Sequence, residues 1–227
     1  MSRNIAITPG EFYHLYNRGT EKRKIFLNTA DYERFLSLLF LCNGTHPVRI
    51  DNLLQQQAFQ QGRTLLELAF ALERGKPLVD ICAYVLMPNH FHLLVRECEE
   101  GGISHFMQKL LTAYTMYFNT RRTRSGALFQ GKYKATHAHK DRYLKYLTSY
   151  IHLNPIKLIE PKWKETGIVN RSKAEKFLTT YRYSSFLDYS GDKRIEGCLI
   201  EKTALPEYFE TPKSFRNSVT EWLNFRE

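Results

Sequence analysis

Apolar and polar positions along the chain fall into short runs that change period several times. Glu11–Arg18 (EFYHLYNR) is an apolar and aromatic run that reads as a strand, ended by Gly19. From Asp31 the period becomes helical, with Phe35, Leu38, Leu39 and Cys42 on one side. Asp31 is the expected cap, and Asn43-Gly44 stops the helix. Over residues 43–77 the pattern fades into Gln55–Gln57, Gln60 and Gln61, with a short helix expected over Thr64–Glu73. This stretch reads as an insertion between core elements. The strongest hairpin follows: Leu78–Met87 and His90–Cys98 are β-rich runs joined by the turn dipeptide Pro88-Asn89. A helix led by Ser104 runs to about Thr120, with Phe106, Leu110, Ala113, Tyr114 and Tyr117 as its apolar face. A basic loop leads to another strand-like stretch within Ala127–His139. Asp141 opens a further helix, which must stop near Asn154 because Pro155 disfavours helical geometry in the residue before it. The order strand, helix, strand, strand, helix, strand, helix predicts an α+β chain with a ferredoxin-like split β-α-β core and an antiparallel sheet. Residues 1–160 would form this domain, and 161–227, including Tyr181–Tyr189 (YRYSSFLDY), a C-terminal extension of helices and loops packed on it.

Composition narrows the picture. With 43% hydrophobic residues a buried core is affordable. No apolar run approaches the ~20 residues a bilayer demands, and the N-terminal residues lack the apolar core of a secretory signal, so a cytoplasmic location and no membrane partner are expected. Cys42, Cys82, Cys98 and Cys198 are scattered without a CxxC pair, which argues against a zinc knuckle or a disulfide scaffold. Cys82 and Cys98 are expected as buried thiols. The net charge of +10 changes the picture most, because of where it sits. Residues 120–182 hold 15 Lys and Arg against 4 Asp and Glu, leaving 18 and 19 elsewhere. A basic block interleaved with Tyr, Phe and Trp is the footprint of a surface that tracks phosphates and stacks bases. The plainer account is a solvated face of a basic protein.

Two patterns carry candidate chemistry. His90 and His92 alternate on a strand and so project from one face, with Phe91 pointing into a core. Neighbouring neutral imidazoles can hold Mn²⁺, or Mg²⁺ with help from oxygen donors. A His-x-His is also common as a plain hydrogen-bonded pair. On the helix from Asp141, Tyr143, Leu144, Tyr146, Leu147, Tyr150, Ile151 and Asn154 share a broad face, with Arg142, Lys145, Ser149 and His152 opposite. That sets a phenol, Tyr150, near a carboxamide, Asn154; taken alone, the pair also fits a packed tyrosine and a C-terminal cap. Together with the histidines and the basic block, the combination points to phosphoryl transfer. A tyrosine nucleophile conserves the phosphodiester bond energy, so a strand can be rejoined without ATP.

The stretch LMPNHFHLLV resembles the HUH motif of single-tyrosine transposases, and the whole pattern is most similar to the REP-associated tyrosine transposases. Further matches are FYHLYNRG, YFNTRR with ALFQGKYKA, YLKYLTSYIHLNPIK and YRYSSFLDY, spanning roughly residues 11–190. The resemblance implies a metal-dependent, site-specific endonuclease and strand transferase acting on hairpin-bearing single-stranded DNA. It makes His90 and His92 ligands of Mg²⁺ or Mn²⁺, Tyr150 the nucleophile that ends as a 5′-phosphotyrosine, and Asn154 a further donor to the metal. Relatives often carry Gln at that last position. Tyr114, Tyr117, Tyr143 and Tyr146 are rival tyrosines, of which the first two read as core by periodicity. Arg18, Arg121, Arg122, Arg124, Lys132, Lys134 and Arg142 are the candidate phosphate contacts, and Phe129 and Tyr133 the candidate base-stacking rings. His137 and His139 could form a second ligand pair. The competing functions are a non-catalytic regulator that binds hairpin DNA, a rolling-circle initiator and a metal-independent RNA binder. A monomer is preferred over a dimer.

Overall fold

The computed structural model describes residues 6–47, 50, 61–209 and 211–221. Four strands form one sheet: β1 (Phe12–Arg18), β2 (Val79–Met87), β3 (His90–Glu97) and β4 (Lys134–His137), in the order β2-β3-β1-β4 with every neighbouring pair antiparallel. This is the ferredoxin-like order. It arises because each helix returns the chain two positions away: β3 later fills the gap between β1 and β2, and β4 crosses β1 to pair on its far side. Helix α1 (Thr29–Leu41) links β1 towards β2, with the short helix α2 (Leu65–Phe70) after it, and α3 (Gly102–Arg121) links β3 to β4.

The local signals were close to right, with instructive shifts. α1 is capped by Asn28, whose side chain accepts from the Asp31 N–H, three residues before the expected cap at Asp31. Asp31 itself is fully buried, because its carboxylate accepts from Leu27 N, Tyr117 Oη and Arg122. Thr64 and Glu67 make a capping box that starts α2, but that helix ends at Phe70. α3 begins at Gly102 rather than Ser104. Cys82 is buried as expected, whereas Cys98 is exposed because it lies just past the end of β3. Gln55–Gln57 and Gln60 lie outside the described residues.

The sheet has two different faces. Tyr13, Leu15, Phe91, Leu93, Tyr84 and Leu86 point to one side and pack with α1 and α3 around Phe35, Phe106, Leu110 and Tyr114. The other side carries His14, Tyr16 and Arg18 from β1 opposite Leu94, His92 and His90 from β3. A bulge at Cys82, between Ile81 and Ala83, keeps Val85 and Met87 on this second side. Helix α4 (Asp141–Leu153) lies across it, burying Leu144, Leu147 and Ile151.

The C-terminal part covers both α4 and the edge of the sheet. Short helices α5 (Trp163–Thr166), α6 (Arg171–Leu178) and α7 (Phe186–Tyr189) lead to α8 (Pro212–Glu221). The segment before α7 runs along the outer edge of β2. Leu86 N donates to Tyr183 O at 2.9 Å, Ser185 N to Tyr84 O at 3.0 Å, and Tyr181 Oη to Leu86 O at 2.6 Å. An edge left open would present unpaired backbone groups. This covering corrects the expected polar face of α4: Ser149 and His152 are fully buried. His152 Nε2 meets Ser185 Oγ at 2.8 Å, and its ring packs against Phe186, Tyr189 and Phe215. A helix judged alone shows one apolar face; this one is covered on two. No helix among the described residues is long and apolar enough to cross a membrane.

Candidate active site

Where β1 ends and β3 begins, the sheet and α4 enclose a cleft of about 330 Å³. His90, His92, Tyr16 and Tyr150 reach it from three elements, with Lys157 beside them. Antiparallel pairing sets the first three: Tyr16 faces His92 and Arg18 faces His90 across the ladder. Gly19 closes β1, because a Cβ there would lie 2.4 Å from the Arg23 carbonyl oxygen.

Each histidine is oriented by a specific neighbour. Asn89 Nδ2 donates to the carbonyl of Lys22 at 3.2 Å, and its Oδ1 lies 2.7 Å from His90 Nδ1. A carbonyl only accepts, so Asn89 must present its oxygen to His90, whose Nδ1 then carries the proton and whose Nε2 keeps a lone pair. The loop that supplies the Lys22 carbonyl is strained, with Glu21 and Lys22 both at positive φ (57° and 60°). His92 Nδ1 lies 2.8 Å from His14 Nε2, and the two rings stack at 5.0 Å. Burial pushes His14 down to about 4, with Lys164 adding to the effect. Burial does the same to His90, assisted by Lys157, Arg18 and Lys164, again to about 4. His92 is held well below the usual histidine range, first by burial and then by His14 and His90. At neutral pH all three rings are therefore uncharged, the form in which imidazole binds metal.

Tyr150 faces this group. Its ring stands edge-on to His92 at 5.8 Å and to His14 at 6.1 Å. Tyr146 stacks behind it at 5.8 Å and Tyr143 behind Tyr146 at 6.1 Å. The three tyrosines form a column along α4, and of them Tyr150 lines the cleft. Burial raises Tyr143 above the ordinary tyrosine range. Tyr114 is fully buried and donates to Ile25 O at 2.6 Å, so it belongs to the core.

Asn154 ends α4 and is fully buried. Its Nδ2 donates to Tyr150 O at 2.9 Å, while its Oδ1 is buried without a hydrogen-bond partner. The described residues contain no cluster of three or more His, Cys, Asp or Glu able to hold a metal. The donors lining the cleft are the neutral imidazoles of His90 and His92; Asn154, with its orphaned amide oxygen, is not among the lining residues. That set fits a divalent ion such as Mn²⁺, with water and phosphate oxygens filling the remaining positions.

The predicted phosphate contacts divide into two groups. Arg18 and Lys134 line the cleft; the Arg18 guanidinium is set by Gln130 Oε1 at 2.8 Å, and Lys134 Nζ lies 5.9 Å from the Tyr16 ring centre. Lys132 is exposed in the loop before β4, and Arg142 is exposed on α4. Arg121, Arg122 and Arg124 are not among the residues that line the cleft. Arg122 is paired with the buried Asp31 at 3.0 Å, Arg121 donates to Tyr117 Oη at 2.9 Å, and Arg124 braces its own loop through Asn119 and the Ala127 carbonyl. Phe129 and Tyr133, the expected stacking rings, are buried in the core. His137 pairs with Glu11 at 2.9 Å and turns to the opposite face of the sheet, against Tyr13.

Sequence reasoning missed His14, Gln130, Lys157 and Lys164. Only His14 had a local signal: it alternates with Tyr16 and Arg18 along β1, which places it on their side.

Comparison with known proteins bears on this geometry. Residues 66–154, about two fifths of the chain, match the family model described as transposase IS200-like, and the family resemblance read from the sequence is borne out there. No curated protein matches the chain. Among solved structures, a REP-associated tyrosine transposase bound to a REP hairpin is 11% identical, covering 86% of this chain and 90% of its own, with a TM-score of 0.48. The tRNA(His) guanylyltransferase of Saccharomyces cerevisiae is also 11% identical, covering 92% and 87%, with a TM-score of 0.31. Similarity this low says nothing about substrate.

Proposed function

With residues 66–154 matched to the IS200-like transposases, we propose that this protein cuts and rejoins hairpin-bearing single-stranded DNA through a covalent bond to Tyr150. The observation that carries the reading is Tyr150 facing His90 and His92 across one cleft, with its ring 5.8 Å from that of His92. Tyr150 Oη attacks phosphorus and gives up its proton. The bond from phosphorus to the 3′-oxygen breaks, leaving a 3′-hydroxyl and a 5′-phosphotyrosine. Attack by a 3′-hydroxyl on that linkage reverses the step and restores Tyr150. His90 and His92 would hold Mg²⁺ or Mn²⁺, and the Asn154 carboxamide oxygen, buried at the end of α4, would be the further donor that the family resemblance implies. When bound, such an ion polarises the scissile phosphate and offsets the charge that develops on it. Asn89 and His14 keep the two ligand nitrogens aimed into the cleft. Arg18 and Lys134 supply salt-dependent contacts to the DNA backbone on the β1 side.

The test is incubation with labelled hairpin oligonucleotides from palindromic repeats flanking the gene, in Mn²⁺ or EDTA, resolved on a denaturing protein gel. A metal-dependent adduct is expected that is lost in Tyr150→Phe and kept in Tyr146→Phe. An adduct lost only in Tyr146→Phe would move the nucleophile one turn back. Tight binding with no adduct in Mn²⁺, or when Mg²⁺ replaces it, would make the protein a hairpin-binding regulator.

A further inference from the structure

The cleft contains no carboxylate among the described residues that line it. Its histidines are neutral, and its formal charges are all positive: Arg18 and Lys134 towards β1, and Lys157 on the side of Tyr150. A second lysine joins Lys157 from outside the lining, since Lys164 Nζ lies 4.0 Å from the centre of the Tyr150 ring. The backbone forces the two together. Pro155 turns the end of α4 into a tight helix, Asn154–Leu158, anchored by the fully buried Ile156. Six residues after Lys157 the chain is pinned again by the buried Trp163, so Lys164 folds back over α4. Partial burial and the nearby Lys164 both hold Lys157 below the ordinary lysine range, offset in part by Tyr150 and Glu165. Lys157 in the lining and Lys164 on the Tyr150 ring, with Glu165 exposed outside the cleft, repel one another until an anion comes between them.

We propose that Lys157 and Lys164 form a two-lysine cradle for the scissile phosphate, on the Tyr150 side and opposite His90 and His92. This rests on the strand-transfer reading and adds its charge-stabilising residues. The cradle takes the non-bridging oxygens of the phosphate and the negative charge that gathers there as Tyr150 attacks. The phosphate is thereby held from two sides, with the histidines on the sheet and the lysines beyond the end of α4. Lys164 also sits on the face of the nucleophile's ring, within cation–π reach of it.

The experiment is single-turnover adduct formation at saturating hairpin oligonucleotide with Mn²⁺. It compares wild type, Lys157→Met, Lys164→Met, the double variant and both Lys→Arg variants. Hairpin affinity is measured separately for each in a Tyr150→Phe background. Each Met variant is expected to slow the adduct on the order of 10²-fold, as loss of one preorganised charge partner does, with affinity changed less than about threefold. The Arg variants are expected to recover most of the rate. A double Met variant that reacts at the wild-type rate overturns the cradle. So does a Met-variant rate that returns to the wild-type value when the oligonucleotide concentration is raised, since the lysines would then be ordinary backbone contacts. If wild type itself forms no adduct, the strand-transfer reading falls, and the cradle is judged on anion binding alone. For that, the lysines are ¹³C-dimethylated, which keeps their charge, and inorganic phosphate is titrated by NMR. Shifts in the two resonances missing from the Met variants support the site; their failure to move ends it.

Discussion

Acid should unfold this protein through His152, which is enclosed by the C-terminal part. The ring is fully buried, held by Ser185 Oγ at 2.8 Å and enclosed by Phe186, Tyr189 and Phe215. Burial pushes it down to about 3, with a backbone contact at Thr148 opposing slightly. The unfolded chain takes up a proton on this residue below its ordinary value of 6.5, while the folded chain stays neutral until about 3. The stabilisation is therefore complete above pH 6.5 and is lost as the pH falls through that window. Each unit costs about 1.4 kcal/mol, so by pH 5 His152 alone removes about 2 kcal/mol. That is a large share of a typical net stability of about 5–15 kcal/mol. Urea unfolding followed by tryptophan fluorescence from pH 7 to 4.5 would measure it, comparing wild type with His152→Gln, which cannot titrate and keeps a polar end near Ser185. The wild type should lose stability faster by about 1.4 kcal/mol per unit below pH 6.5. Parallel curves for the two proteins would refute the argument, because His152 would then be free to charge in the folded state.

Three further outcomes follow from contacts already described. Replacing His14 with Phe removes the partner of His92 Nδ1 and should weaken Mn²⁺ binding about 10–100-fold by calorimetry, with His14→Gln retaining part; unchanged affinity in the Phe variant would show that His92 needs no such support. Asn89→Ala should weaken Mn²⁺ by a similar factor and release the strained Glu21-Lys22 turn, visible as faster amide exchange there; equal exchange in both proteins would count against it. Asp31→Ala strips a buried carboxylate from three donors and should cost about 3 kcal/mol, lowering Tm by several degrees while leaving hairpin affinity unchanged; a fall in affinity instead would make Arg122 a DNA contact.

The parts legible in the sequence were those set by short-range rules. Strand alternation put His90 and His92 on one face, Pro155 fixed the end of α4, and helical spacing set Tyr150 near Asn154 while relegating Tyr114 to the core. What escaped depends on partners far away in the chain. His14 gains its meaning only when β1 is paired with β3 in a given register, 78 residues on. The arginines of the basic loop look alike in sequence, yet Arg122 is bound to Asp31, 91 residues away. The polar face of α4 was assigned to solvent because nothing in its own spacing announces the segment that covers it. Lys157 and Lys164 stood in the basic block, but no periodicity links two lysines across a proline and a buried tryptophan.

The segment that runs along β2 also governs when the molecule becomes competent. Tyr84 and Ser185, which bond to each other through the backbone, are 101 residues apart, and such distant closures are slow to form. The helix bearing Tyr150 is tied to the same segment through His152 and Ser185. During synthesis, then, the strands bearing the histidines and the helix bearing the tyrosine leave the ribosome well before their fastening does. A growing chain would carry His90, His92 and Tyr150 and still lack a fixed arrangement of them. Until that segment has joined the sheet, the cleft between β1, β3 and α4 has no settled shape.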